Sequence, residues 1–181
     1  MNRINKKKPD IIIVDDHLIF RHGLKAIINY EDVGSIIGEA SNGEEFLKLL
    51  AYLKPDLVLM DIDMPLMNGF QATQKALAIL PNLKIIGFTV FPETQYYDKM
   101  MKIGAKGFVL KSSGFNELEN AIKTVMNGEV YFVKKYRSVM NSEINRNETS
   151  VDSENENQKS EKNRKLLFFP WVVNRKNFVT F

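Results

Sequence analysis

Leu57-Val58-Leu59-Met60-Asp61-Ile62-Asp63-Met64-Pro65-Leu66-Met67-Asn68-Gly69 is an apolar run that stops on a carboxylate and then turns. Ile11-Ile12-Ile13-Val14-Asp15-Asp16 has the same form near the N-terminus. Apolar residues in an unbroken run, without polar alternation, suit a strand buried on both faces, as parallel strands covered by helices are. Two more such runs follow, Ile85-Ile86-Gly87-Phe88-Thr89 and Gly107-Phe108-Val109-Leu110-Lys111, each closed by one polar residue.

Working outward, short β-branched runs alternate with segments of helical period, which predicts an α/β domain of repeated βα units on a parallel sheet. Strands are expected near residues 10–15, 35–40, 56–61, 84–89 and 106–110. The intervening segments carry apolar stripes: Phe20, Leu24, Ile27 and Ile28; Phe46, Leu47, Leu49 and Leu50; Leu118, Ala121, Ile122 and Val125. One apolar stripe per helix implies that each packs one side on the sheet, with helices on both faces in a doubly wound arrangement. Asn42-Gly43 opens the second helix, Lys54-Pro55 precedes the third strand, and Pro81-Asn82 and Gly104 end later helices.

A chain of 181 residues, 44% hydrophobic and 26% charged, accommodates one good core plus a short extra segment. Cysteine is absent, which excludes disulfides and thiolate zinc sites and favours the cytoplasm. The basic start, Arg3 with Lys6-Lys7-Lys8, is followed by only a short apolar run before two aspartates, so no export signal is expected. The run Leu166 to Val173 contains Pro170 and falls far short of the roughly 20 residues that span a bilayer. A net charge of +3 does not argue for nucleic acid. The expected organisation is a basic extension over 1–8, a domain over 9–130, a short helix or extension over 131–140, a polar linker over 141–165 and an apolar, basic tail over 166–181.

Ligands of an open parallel sheet bind beyond the carboxyl ends of its strands, where Asp15, Asp16, Asp61, Thr89 and Lys111 all fall. Carboxylates gathered there repel: a pair ~4 Å apart at an effective dielectric of 20 costs about 4 kcal/mol. The site therefore needs a cation. Oxygen ligands suit Mg²⁺, which keeps waters and leaves room for a phosphoryl group. Asp61 would then be an in-line nucleophile, with the Lys111 ammonium and Mg²⁺ clamping the transferring oxygens. Each feature alone has a plainer reading: the Asp pair as a helix cap, Lys111 as a surface charge, Thr89 as a strand residue and Phe108 as core. His17 and His22 lack the spacing of a helical metal pair and read as cap or surface residues. Tyr96, Tyr97, Met100 and Met101 read as the packing side of the fourth helix with exposed neighbours.

In order and spacing, these motifs resemble the receiver domain of bacterial two-component response regulators, over roughly residues 9 to 130. The resemblance implies a flavodoxin-like fold with strand order 2-1-3-4-5. It also implies Asp15 and Asp16 as the acidic metal pair and Asp61 in "LVLMDIDMPLMNG" as phosphoacceptor. Thr89 becomes the switch hydroxyl, Lys111 in "GAKGFVLKSS" the phosphoryl-binding lysine, and Phe108 the switch aromatic that turns inward after phosphorylation. The Asp63 backbone carbonyl becomes a metal ligand, and Pro65 and Gly69 shape the loop. Phe91 would lie over the phosphoryl site, where its bulk slows hydrolysis relative to Phe91→Glu. The implied cofactor is Mg²⁺. The implied partners are a sensor histidine kinase, which carries the phosphodonor histidine, and a second copy of the chain. Such a protein accepts and loses a phosphoryl group on itself and is not an enzyme with a separate substrate.

"DDH", "RHGL" and "LKSS" look like the NarL/FixJ subgroup, whose receivers precede a LuxR-type helix-turn-helix domain. The segment after Met140 is short and largely polar, so that domain is expected to be missing, DNA binding is not expected, and the tail from Arg164 reads as truncated or frameshifted. A competing reading is a Mg²⁺-dependent phosphohydrolase of haloacid-dehalogenase type with an Asp61 aspartyl-phosphate intermediate. Pro65 departs from that motif, and the Asp15-Asp16 pair has no place in it. Nucleotide binding is unsupported, since neither dinucleotide nor P-loop glycine pattern is present.

Overall fold

A computed structural model of the chain describes residues 8–131. Along them run β1 (Asp10–Val14), α1 (Leu18–Tyr30), β2 (Ser35–Ala40), α2 (Gly43–Leu49), β3 (Leu57–Met60), α3 (Gly69–Ile79), β4 (Lys84–Thr89), α4 (Thr94–Ile103), β5 (Gly107–Leu110) and α5 (Phe115–Met126). A 3₁₀ turn at Lys111–Ser113 joins the last two. All strand pairs are parallel, and their order is β2-β1-β3-β4-β5. This is the doubly wound, flavodoxin-like α/β fold expected from the sequence.

Successive strand residues point to opposite faces, and the two halves of the core follow from that. Ile12, Val14, Val58, Met60, Ile85 and Phe108 pack with α2, α3 and α4 residues such as Phe46, Ala72, Ala76 and Met100. Ile11, Ile13, Leu57, Leu59, Ile86 and Val109 pack with Leu24 and Ile28 of α1 and with Leu118, Ile122 and Val125 of α5. Each fully buried Ile or Leu contributes about 1.5–3 kcal/mol of transfer free energy. The α5 stripe is wholly buried, whereas Phe20 and Ile27 of α1, and Leu47 and Leu49 of α2, are only partly so.

Local chemistry fixes the helix ends nearest the strand tips. The Asn42 side chain accepts from the Glu44 and Glu45 amides, both at 3.0 Å, and caps α2. Asn68 and Gln71 form a reciprocal capping box at the start of α3. Gly104, at φ 112°, closes α4 in the left-handed conformation that glycine adopts at least cost.

Among the residues outside 8–131 fall most of the basic extension, all but the first residue of the 131–140 segment, the polar linker and the tail, together with the expectation about the missing output domain. Of the flanks, Lys8 pairs with Asp32, and Tyr131 bridges in parallel to Gly107, its amide donating to Lys106 O at 2.9 Å. No helix among the described residues is long and apolar enough to cross a membrane.

Candidate functional site at the carboxyl edge of the sheet

Sheet hydrogen bonding continues one residue past the strands and locks two carboxylates in place. The Asp15 amide donates to Ala40 O at 3.0 Å, and the Asp61 amide donates to Val14 O at 2.8 Å. Because β1 lies between β2 and β3, Asp15 and Asp61 emerge side by side. Both are buried, at 1% and 3% exposure.

Lys111 follows β5 and reaches back to them. Its Nζ stands 2.6 Å from Asp15 Oδ2 and 2.7 Å from Asp61 Oδ2, so one ammonium serves two acids. The same Nζ lies 4.7 Å from the centre of the Phe20 ring, a cation–π contact that helps hold it. The other Asp61 oxygen, Oδ1, accepts from the Ile62 amide at 2.7 Å. Burial pushes the Asp61 carboxyl above its ordinary pKa; the Lys111 hydrogen bond and charge oppose that rise, while the Asp15 charge adds to it.

Asp16 is half-buried, and its Oδ1 makes no hydrogen bond. The His17 ring lies beside it, with Nδ1 2.9 Å from that oxygen and 3.4 Å from Asp15 Oδ1, but not aligned as a donor. His17 is the N-cap residue of α1, yet its side chain makes no capping bond; its amide instead donates to Asp15 Oδ1 at 2.9 Å. Asp15, Asp16, His17 and Asp61 each offer a ligand atom within 4.8 Å of the others. Three carboxylates, one with an oxygen left without a hydrogen bond, fit a hard divalent cation. His17 is the exposed cap residue expected from the sequence, and its side chain lies beside the two acids just before it.

Arg21 of α1 donates to Asp15 O and lies 3.6 Å from Glu39 Oε2 on β2. A Lys25 hydrogen bond, at 2.6 Å, holds the Glu39 carboxyl below its usual pKa. This ion cluster braces the main chain of the acidic pair from the helix side, and the sequence carried no motif that signalled it.

Gly69 lets α3 begin directly against the end of β3. A Cβ there would sit 2.0 Å from Asp61 O, and the Gly69 amide donates to Ile62 O at 2.9 Å. Asp63 is exposed on the rim of a cleft of about 520 Å³ that His17, Phe20, Asp61, Phe91 and Lys111 also line.

Thr89 ends β4, fully buried, and its hydroxyl accepts weakly from the Phe91 amide at 3.3 Å. Phe108 is fully buried and meets Tyr97 edge-on, with centroids 5.6 Å apart. Its ring is already inward, where Gly87 leaves it room: a Cβ on Gly87 would come 3.0 Å from Phe108 Cδ2. The inward turn expected after phosphorylation is therefore already made in this structure. The structure thus joins Asp15, Asp61 and Lys111 directly, adds Asp16 and His17 at their edge, and gives Thr89 and Phe108 local partners in the adjoining strands. In α4, Tyr97 and Met100 are buried while Tyr96 and Met101 are partly so.

Residues 11–123 match the response regulator receiver domain family, and the chain belongs to that family. Its relatives are two-component response regulators and transcriptional regulators. DegU of Brevibacillus brevis is 32% identical over 149 residues, 78% of this chain and 63% of that protein. GacA of Pseudomonas viridiflava is 37% identical over 121 residues, 67% of this chain and 56% of that protein. The chain spans less than two thirds of the length of either. Among solved structures, the LuxR-family two-component response regulator of Aurantimonas sp. SI85-9A1 aligns with TM-score 0.71 at 28% identity, covering 76% of this chain and 98% of that one. The response regulator domain of Thermotoga maritima CheB aligns with TM-score 0.61 at 27% identity, over 67% and 98% of the two chains.

Proposed function

We propose that this receiver takes a phosphoryl group from a histidine kinase onto Asp61 and signals through the state of its own surface. The observation that carries this reading is the single buried ammonium of Lys111 placed against both Asp15 and Asp61. In the transfer, an Asp61 carboxylate oxygen forms a bond to phosphorus as the bond from phosphorus to the donor imidazole nitrogen breaks. Lys111 releases Asp61 Oδ2 and takes up a phosphoryl oxygen instead. Asp15, Asp16, Asp61 and the Asp63 carbonyl would hold Mg²⁺; when bound, the ion would neutralise charge building on the phosphoryl oxygens. The Ile62 amide keeps Asp61 oriented for attack.

The phosphoryl group adds about −1.5 to −2 charge at neutral pH. Thr89 then leaves the weak Phe91 amide contact for a phosphoryl oxygen. Phe108, already inward, is locked behind it against Tyr97, so the surface of α4, β5 and α5 changes its affinity for a partner, a second copy of this chain included. Incubation with Mg²⁺ and acetyl phosphate, followed by intact mass, tests the reading. One phosphoryl group gained by the wild type and lost in Asp61→Asn is expected; a gain retained in the variant would overturn the assignment of Asp61.

A further inference from the structure

Phe91 lies in the loop between β4 and α4. Val90, Pro92 and Glu93 are exposed, and Glu93, the N-cap of α4, makes no side-chain capping bond. Phe91 nonetheless lines the cleft with Asp61 and Lys111. What fixes its ring is a stack. Phe91 lies on Tyr96 with centroids 5.0 Å apart and planes 19° apart, and Tyr96 lies on Phe70 at 6.0 Å and 11°. Lys99 Nζ also lies over the Phe70 ring, 4.1 Å from its centre. Phe70 is itself anchored: it is buried, and it follows Gly69, which abuts the main chain of Asp61. The stack therefore spans from the first turn of α3, which abuts Asp61, to the loop after Thr89, with Tyr96 linking the two.

We propose that Tyr96 is a positioning residue for loss of the phosphoryl group: by stacking between Phe91 and Phe70 it holds Phe91 across the cleft and limits the approach of water to phosphorylated Asp61. The inference rests on Asp61 being the phosphoacceptor. In the step concerned, a water oxygen bonds to phosphorus as the bond from phosphorus to the Asp61 oxygen breaks. The carboxylate is restored, and both protons of the water leave with the phosphate as dihydrogen phosphate. Tyr96 touches none of these atoms. It acts through Phe91, an apolar wall with no group to accept the water's proton.

The test uses the full chain, phosphorylated with acetyl phosphate and Mg²⁺ and then freed of donor, with decay of the phosphorylated mass followed in time. Tyr96→Leu removes the aromatic face and is expected to shorten the lifetime about two- to tenfold, the range that one aromatic pair commands. Tyr96→Phe keeps the face and is expected to match wild type, which separates stacking from any role of the hydroxyl. Phe91→Leu is expected to shorten the lifetime similarly, and the double variant Phe91→Leu/Tyr96→Leu no further, because both act through one ring. Tyr96→Leu matching wild type, or effects that multiply in the double variant, would overturn the inference while leaving Asp61 as acceptor. No phosphoryl gain in the wild type would overturn the proposed function, and this inference with it.

Discussion

Gly69 stands so close to Asp61 that a methyl group in place of its hydrogen would lie 2.0 Å from the Asp61 carbonyl oxygen. The obstacle is main chain, which cannot swing aside as a flexible side chain would. Gly69→Ala must therefore push α3 away from β3 or distort the loop that follows Asp61. Overpacking of this kind costs about 1–3 kcal/mol. A fall of that size in denaturant-unfolding stability is expected, and an unchanged midpoint would show that the contact yields.

Lys111 sets one ammonium against two buried acids. Lys111→Met leaves both uncompensated, and removing one partner of a buried ion pair typically costs about 3–5 kcal/mol. In chelator, thermal melting of the variant should fall accordingly. Added Mg²⁺ should recover more stability in the variant than in the wild type, since a divalent cation can take over the charge. Equal gains in the two proteins would argue that the acids do not hold the ion.

Asp61→Asn should leave the fold as stable or make it more stable at neutral pH. The sign follows from the raised pKa of the carboxyl. The folded state binds the proton more readily than the unfolded one, so stability falls as pH rises from the ordinary carboxylate range through the raised value, and the penalty is full above it. Asparagine removes that penalty, and Lys111 keeps Asp15 as partner. The difference should vanish as pH drops below the ordinary carboxylate range. Paired melts across pH without divalent cations check this, and a lower midpoint for the variant at neutrality would refute it.

Tyr131 donates its phenol to Glu117 Oε1 at 2.6 Å, and burial first, then Glu117, raises its pKa from 10.0 to about 12. The neutral phenol is the favoured form in the folded state. Its contribution to stability is complete below 10 and is lost as pH rises towards about 12. Tyr131→Phe removes a hydrogen bond to a charged acceptor, worth about 1.5–3 kcal/mol when well formed and less where water competes. The variant should be less stable than wild type at neutral pH and converge with it in strong alkali.

The strands were legible because continuous apolar runs ending in a polar residue are local in the chain. The expected strand over 35–40 and that over 84–89 coincide with β2 and β4, and the others differ by a residue at one or both ends. The α5 stripe was likewise legible, whereas Phe20 packs on the core as its stripe implies but also lines the cleft, because periodicity reports the face of a helix and not the depth at which it sits. His17 is the exposed cap residue that the sequence suggested, and its nearness to the acids was illegible for a related reason. Spacing along a helix says little about a residue at its cap, whose side chain returns toward the preceding strand end. The Arg21–Glu39–Lys25 cluster joins side chains on different elements and had no local signature at all.

By itself the sequence determined the alternation of strand and helix, the doubly wound class and the presence of acid, hydroxyl and lysine at strand ends, because each follows from periodicity and from which residue interrupts an apolar run. Tertiary structure decided what those residues do to one another. Only the order β2-β1-β3-β4-β5 sets Asp15 beside Asp61, and only the return of the chain after β5 brings Lys111, 50 residues beyond Asp61, to 2.7 Å from it. The raised carboxyl of Asp61, the inward Phe108 and the stack that carries Phe91 all come from burial and from neighbours distant in sequence, which no local pattern encodes.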